Sequence, residues 1–474
     1  MPPGEPQPQP QPQPQAQHEA GGALFESVFT TDQLAAATSD RAWVGAMLEF
    51  EAALAVAEAK VGLVPEEAAK AIARACREID LDPVALGRAG RLGSNPAIPL
   101  VSSLRARLPD DVGRWLHFGA TSQDVLDSAM MLVLRSVVRL ALVDLGRLAA
   151  AAAKLAERYR SAPMVARTLL QHALPTTFGR KAAGWLVAVV EASEALQEVG
   201  HRRLAVQLGG AAGTLASLGS RGPQVVEVLA ADLDLEVPVL PWHTDRTRVG
   251  EVSCALALCA GVAGKVALDV SLLMQTEVGE AFEPPAEGRG ASSSLPHKRN
   301  PAMAATVLAA FRRAQGLASI VLAGMPQEHE RAVGAWQAEW ETVSELSRAA
   351  GGAVAIVADM LAGLEVDEVR MAVNLQMTGG LVLAERVTAE LASVLGHEEA
   401  RGVVEAASKR AVSSSTTLEQ ELRNEPGVAE LWAGAGLPGD MFEPGGSLGS
   451  SEYFVDRALD LYGKVFGKRA NANG

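Results

Sequence analysis

Apolar residues recur at helical spacing over most of the chain and alternate with period two almost nowhere. Leu126, Met130, Val133, Val137 and Leu140 follow one another at intervals of three and four, and "LRSVVRLALVDLGRLAAAAAKLAERYR" carries the stripe on through a single Gly146. That spacing predicts one face of a long amphipathic helix. Proline placement gives the same reading, because a proline inside a helix costs about 3 kcal/mol. None occurs over 110–162, 176–222 or 242–283, or between Pro326 and Pro426, and each gap predicts long helices. In "EVSCALALCAGVAGKVALDVSLLMQTEVGE" (251–280) apolar side chains cover nearly the whole circumference, which predicts a helix buried on all sides in a bundle or an oligomer. Strand-like alternation hardly extends beyond "LEVPVLPW". The pattern predicts an all-α protein in which a tail over 1–22 precedes three helical domains: an N-terminal helical domain over 23–125, a central long-helix bundle over 126–375 and a C-terminal helical domain over 376–474.

Composition narrows the possible partners. Lys plus Arg total 42 against 56 Asp plus Glu, a net charge of -14, which argues against nucleic acid or an anionic membrane as a global partner and requires any anion to be held by a local cluster. No apolar run is flanked as a membrane span would be. The first 22 residues hold seven of the 25 prolines, alternate them with glutamine and lack both the basic and the apolar region of a targeting peptide. They read as a solvated tail of polyproline II character. The three cysteines have neither disulfide nor zinc spacing and read as small buried apolar residues in a reducing compartment, the cytoplasm.

Four polar islands interrupt the helical pattern: "HFGATSQD" (117–124), "ARTLLQHALPTTFG" (166–179), "GGAAGTLASLG" (209–219), and "EAFEPPAEGRGASSSLPHKRNP" (280–301) with "QEHER" (327–331) after it. Each has a plain reading as loop or cap. Thr121, Ser122 and Asp124 are good N-cap residues ahead of an apolar helix, although capping leaves His117 without a role. The glycines of the third island lack the preceding strand and following acidic residue of a dinucleotide fingerprint, and "QEHER" lacks the i, i+4 histidine pair of a zinc helix. The residues therefore call for no cofactor and no metal.

Taken together, the islands resemble the fumarase and aspartase superfamily. Its signature GSSxMPxKxNP is similar to "ASSSLPHKRNP" (291–301), with Ala291 for Gly and Leu295 for Met, and the other islands match further signature regions in order and spacing. Within the superfamily, "PHKRNP", "MPQEHER", "AEWET", "PWHT" and "FEAALAVAEAKVGLVPEEAA" are similar to the bacterial 3-carboxy-cis,cis-muconate cycloisomerases. The resemblance covers everything except the tail. It implies a homotetramer whose central helices form a 20-helix core, with each active site built from three subunits and a small tricarboxylate as substrate.

The resemblance also implies roles. Enzymes of this superfamily work through a carbanion stabilised as an aci-carboxylate, so a proton must move at carbon and fixed donors must hold the growing charge. Matched by motif, Ser292 moves the proton, with Lys298 and loop amides to activate it. Asn300, His117, Thr121, Ser122, Thr168, Gln171 and Arg331 fall at substrate-binding positions. Many lyases of the superfamily read THxQ where this chain has "TLLQ", with Leu169 in place of the histidine. His172 either substitutes for that imidazole or is a structural histidine of a helix there. Loss of the imidazole suits a cycloisomerase, because the bond broken in the delactonising direction releases a carboxylate of pKa about 4 that needs no proton to leave. Two further departures are Asp245, where a glutamine is expected, and Trp340, where adenylosuccinate lyases carry a second arginine. The implied reaction is closure of 3-carboxy-cis,cis-muconate to 4-carboxymuconolactone in protocatechuate breakdown. The alternatives are an adenylosuccinate- or argininosuccinate-type lyase and a non-catalytic structural relative, the latter opposed by the presence of Ser292, Lys298 and Asn300.

Overall fold

In the computed structural model, residues 23–290, 295, 297–433 and 438–472 are described. Near the N-terminus, α1 (Asp40–Lys60) begins at Ser39, whose Oγ accepts from the Ala42 amide. It packs against α2 (Glu66–Glu78), which has glutamates in its first turn and Arg77 in its last, as the helix dipole favours. With α3 (Ala97–Arg105) these helices bury Phe50, Leu54, Ile72, Leu100 and Leu104.

The chain then enters the 37-residue α4 (Ser122–Arg158). A hairpin follows, β1 (Pro163–Thr168) paired antiparallel with β2 (Gln171–Thr177). Four more long helices complete a bundle: α5 (Phe178–Arg203), α6 (Thr247–Leu273), α7 (Ala302–Ala323) and α8 (Ala335–Ala362). Successive helices run up and down, and every bundle helix packs against at least two others. Beyond them, α9 (Ala384–Leu395) and α10 (His397–Ser414) form a small lobe with its own core around Val387, Leu391 and Val404. The last helix, α11 (Ser451–Ala472), leaves that lobe and packs back on α5 and α4, so Val455 and Ala458 join the bundle core rather than the segment drawn at 376–474.

One expectation about 251–280 needs correction: the helix stops at Leu273 and is followed by a turn over 275–279, beyond which Glu280 enters a buried ion pair described below. Within the single chain Cys254, Leu258, Lys265 and Leu268, spaced along one stripe, are exposed, so burial on all sides would need an oligomer to cover that face. Cys254 is thus exposed, whereas Cys76 and Cys259 are buried as expected. On α7, Ile320 and Leu322 are likewise 47% and 43% exposed. Both α6 and α7 are long and apolar enough to span a membrane on length and composition alone.

The length of α4 places the sites. At 1.5 Å per residue a 37-residue helix is about 55 Å long. The loops at 117–121, 209–215, 241–246 and 327–334 all gather near its N-terminus, while the hairpin and residues 280–290 and 297–301 lie toward the other end of the bundle.

One buried group in the N-terminal core costs stability. Glu58, fully buried on α1, has no hydrogen-bond partner for either carboxyl oxygen. Burial first, and then the nearby Glu51 carboxylate, push its pKa up from 4.5 to about 9. Since the folded-state pKa is the higher one, stability is complete below about pH 4.5 and is lost progressively as pH rises toward 9. Glu58→Gln removes the dependence, and is expected to stabilise the protein by roughly 2 to 4 kcal/mol at pH 7 and not at all at pH 4. Denaturant melts at the two pH values check this, and an equal effect at both refutes the protonated carboxyl.

Candidate active site

At the first end of the bundle, Asp124 joins the first and third islands to the 241–246 loop. Its fully buried carboxylate accepts from the Thr121 amide at 2.9 Å, which caps α4, and from the Gly209 and Gly210 amides at 3.1 and 2.9 Å. Gln207 Nε2 donates to it at 3.1 Å, and His243 Nε2 lies 2.7 Å away. The two glycine-bearing loops touch so closely that a Cβ on Gly210 would lie 2.8 Å from the Gly119 carbonyl oxygen, and Gly210 also has a φ of +71°, so only glycine fits. Arg331 crosses the same loops. Its guanidinium donates to Ala211 O at 3.0 Å and Gly210 O at 3.3 Å, with longer 3.4 Å contacts to Thr121 Oγ1 and Gln123 Oε1. His117, in a left-handed conformation at φ +61°, has Nδ1 2.6 Å from Glu51 Oε1. Burial works against the imidazolium there, but the Glu51 carboxylate outweighs it and holds the His117 pKa above the usual imidazole range.

Beneath these loops lies a buried ion network. Arg246, with no exposed side-chain surface, donates Nη1 to Asp127 Oδ2 at 2.8 Å and Nη2 to Asp127 Oδ1 at 3.0 Å. Its Nε donates to Glu339 Oε1 at 3.0 Å, and Nη2 also reaches Glu339 Oε2. Trp336 Nε1 and Gln123 Nε2 donate to Asp127, and Gln327 Nε2 to Glu339. Burial pushes the Glu339 carboxyl above its usual range even beside the arginine. Asp245 accepts at Oδ1 from the amide and hydroxyl of Thr247 in the first turn of α6, which holds its pKa low and accounts for an aspartate at that place. Trp340 packs edge-on against Trp336, with ring centroids 4.9 Å apart.

At the other end, the register pairs Thr168 with Gln171, so Leu169 and Leu170 alone form the hairpin turn. Their φ values of +50° and +67° belong to a type I′ turn, which ordinarily takes Asn-Gly. Both leucines are exposed, at 96% and 75%, so Leu169 occupies no apolar niche within the single chain. His172 stands on strand β2 opposite Arg167, not on a helix, because the segment is part of the hairpin. Burial first, and then Arg167, push its pKa below the usual imidazole range, and its buried Nδ1 has no hydrogen-bond partner. Arg167 is clamped to Glu280 by two 2.8 Å bonds, and Asn374 donates to the same carboxylate at 2.8 Å.

Glu280 leads into the signature loop. Glu283 caps α7, accepting from the Met303 and Ala304 amides at 3.0 and 2.7 Å. Asn300 closes the base of the loop, its backbone N–H and its Nδ2 both donating to Gly290 O at 3.1 Å. Gly290 has φ +63°, and a Cβ on it would lie 2.5 Å from Asn300 O, so this contact admits no other residue. A small cavity of about 180 Å³ between the loop and α6 is lined by Met274, Glu283, Arg289, Lys298, Arg299 and Asn300. Ser292 lies outside the described residues.

Of the residues singled out from the sequence, the fold brings His117, Thr121, Ser122 and Arg331 to one end of the bundle, and Thr168, Gln171, His172, Lys298 and Asn300 to the other. Among the described residues no hydrogen bond or ion pair links the two groups. The sequence reading missed Glu51, Asp127, His243, Arg246 and Glu339. "PWHT" and "AEWET" held a signal for two of them, but pairing needs the third dimension.

The lyase family model matches residues 26–316. The 3-carboxy-cis,cis-muconate cycloisomerases of Bradyrhizobium diazoefficiens and Pseudomonas aeruginosa are 44% and 46% identical to the chain, each alignment covering 92% of it and 97% and 95% of the relative. The chain belongs to this lyase family. A nitrosuccinate lyase from Streptomyces davaonensis is 43% identical over 90% of the chain and 91% of its own length. The crystal structure of the 3-carboxy-cis,cis-muconate lactonizing enzyme from Pseudomonas putida superposes with a TM-score of 0.88 at 42% identity, covering 94% of this chain and 100% of that one.

Proposed function

We propose that the protein is a 3-carboxy-cis,cis-muconate cycloisomerase, closing its substrate to 4-carboxymuconolactone in aromatic-compound breakdown. The observation that carries the reading is the 44% and 46% identity to two such enzymes over nearly the whole chain, and the hairpin tip, Thr168-Leu169-Leu170-Gln171, which offers hydroxyl and amide donors but no acid, agrees with it. In the forward reaction a carboxylate oxygen of the substrate attacks the alkene carbon and a C–O bond forms. The displaced π electrons spread into the neighbouring carboxylate, and Ser292 delivers a proton to the carbanion carbon. Lys298 and loop amides balance charge at the serine. His117, Thr121, Ser122 and Arg331, with Thr168, Gln171 and Asn300, hold the substrate carboxylates. In reverse the lactone carboxylate leaves as a weak base, so His172, with its depressed pKa, has no leaving group to protonate.

A second reading has one observation in its favour, the nitrosuccinate lyase at 43% identity. Nitrite expelled from nitrosuccinate by β-elimination is also a weak base, so the absence of an acid at Leu169 suits it equally. Purified protein assayed side by side on 3-carboxymuconate, nitrosuccinate, adenylosuccinate and argininosuccinate decides. Loss of the muconate ultraviolet band is expected to be the fastest reaction, and faster nitrite release would overturn the assignment.

We also propose a cytoplasmic homotetramer in which the hairpin and signature loop of some copies meet the His117 loop of another. The exposed apolar stripes of α6 and α7 and the two solvent-facing leucines support it, as does the separation of the two half-sites along α4. Light scattering is expected to report four times the chain mass of 49.4 kDa, and a fully active monomer refutes the shared site. Leu169→His tests the leaving-group argument. Histidine tolerates the left-handed turn, so kcat/KM for lactonisation should fall by no more than about tenfold, the cost of one misplaced polar group. A tenfold gain would mean that a proton donor had been limiting.

A further inference from the structure

His117 does not stand alone at its end of the bundle. Helix α1 reaches under it, and Glu51, 1% exposed, lies against Nδ1 at 2.6 Å. That bond occupies one ring nitrogen and leaves Nε2 as the one available to a ligand. The second carboxylate oxygen of Glu51 is buried without a partner. Such an arrangement does not look like a device for stability: a buried ion pair rarely repays its desolvation, and a half-satisfied carboxylate repays it less. The left-handed backbone at His117 adds strain.

We infer that Glu51 is a positioning residue: it anchors the His117 ring through Nδ1–H and so directs Nε2–H at a substrate carboxylate. The inference rests on the proposed carboxylate-binding role of His117. Other charged or titratable groups surround the pair. Asp124 of α4 faces His117 but is already saturated by the Thr121, Gly209 and Gly210 amides, Gln207 and His243. Arg105 of α3 also faces it, and is committed to the carbonyls of Gly113 and Leu116. Behind Glu51 lie Glu58, two turns on along α1, and the buried Cys76 thiol of α2. With Glu58 protonated, Glu51 is the one carboxylate bonded to the His117 ring, and the imidazolium faces the ligand. Without Glu51 nothing on these elements would favour the imidazolium as strongly.

The test reads His117 directly. In wild-type protein labelled with [13Cε1]histidine, the resonance that disappears in His117→Asn should titrate at higher pH than an ordinary imidazole. In Glu51→Gln it should move to lower pH. On whichever of the four substrates the enzyme turns over, the alkaline limb of kcat/KM should shift down by the same amount in Glu51→Gln, with KM carrying most of the loss and activity largely recovered at pH 6. A purely structural Glu51 predicts a loss of equal size at every pH and an unmoved resonance, and that result overturns the inference. A wild-type His117 titrating at or below the ordinary range overturns it as well, even if Glu51→Gln fails to fold. The NMR arm needs no substrate, so a failed inference and a failed assignment of the reaction can be told apart.

Discussion

Ser292→Ala is expected to lower kcat on 3-carboxymuconate by about three to four orders of magnitude, the upper range for loss of a positioned proton-transfer group, while binding changes by less than a few-fold. Carboxylate recognition is assigned to other residues, so removing one hydroxyl takes away a transition-state interaction and spares the ground state. The described residues on either side of Ser292 are held by groups other than its hydroxyl. Asn300 is tied to Gly290, and Glu283 fastens the start of α7. Equilibrium binding of substrate to the variant, together with single-turnover measurement, checks both halves. Retention of a tenth of the wild-type rate would move proton transfer to another group, and Lys298, which lines the cavity beside the loop, would be the next candidate.

Arg246→Met is expected to cost roughly 3 to 5 kcal/mol of stability, the usual result of removing one partner from a buried ion pair. Methionine matches the length of the arginine stem and fills the space beside Trp242, whose ring lies 5.0 Å from the guanidinium carbon. It cannot donate to Asp127 or Glu339, whose carboxylates then lie buried against each other without the cation. Because these carboxyls can escape the penalty only by taking up protons, the loss should shrink as pH falls. Denaturant midpoints at pH 8 and pH 5 measure this. The triple variant Arg246→Met, Asp127→Asn, Glu339→Gln should recover a large part of the stability. A single variant as stable as wild type at pH 8 would show that the network contributes nothing.

Much of the architecture is legible because helical periodicity and proline avoidance are local properties. The stripe from Leu126 to Leu140 lies within α4, and the proline-free gaps enclose α4, α5, α6 and the stretch holding α8. The hairpin was not legible in the same way. Its strands are six and seven residues long with a shifted register between Val165 and Arg167, and its turn is two leucines rather than Asn-Gly. Local propensity argues against left-handed leucines, so the turn reflects a tertiary demand.

What the sequence determined by itself is the helical class, the order of the long helices, and through its motifs the family and the loops that bear the chemistry. Only the tertiary structure decided the partners. Arg246 finds Asp127 119 positions away and Glu339 93 positions away, and His117 finds Glu51 across 66. No periodicity encodes such pairs, because they form where separate helices cross. The tertiary structure also set the motifs at opposite ends of one bundle: a helix of 37 residues is a rigid spacer, and residues that look like one site on paper stand at its two ends in a single chain.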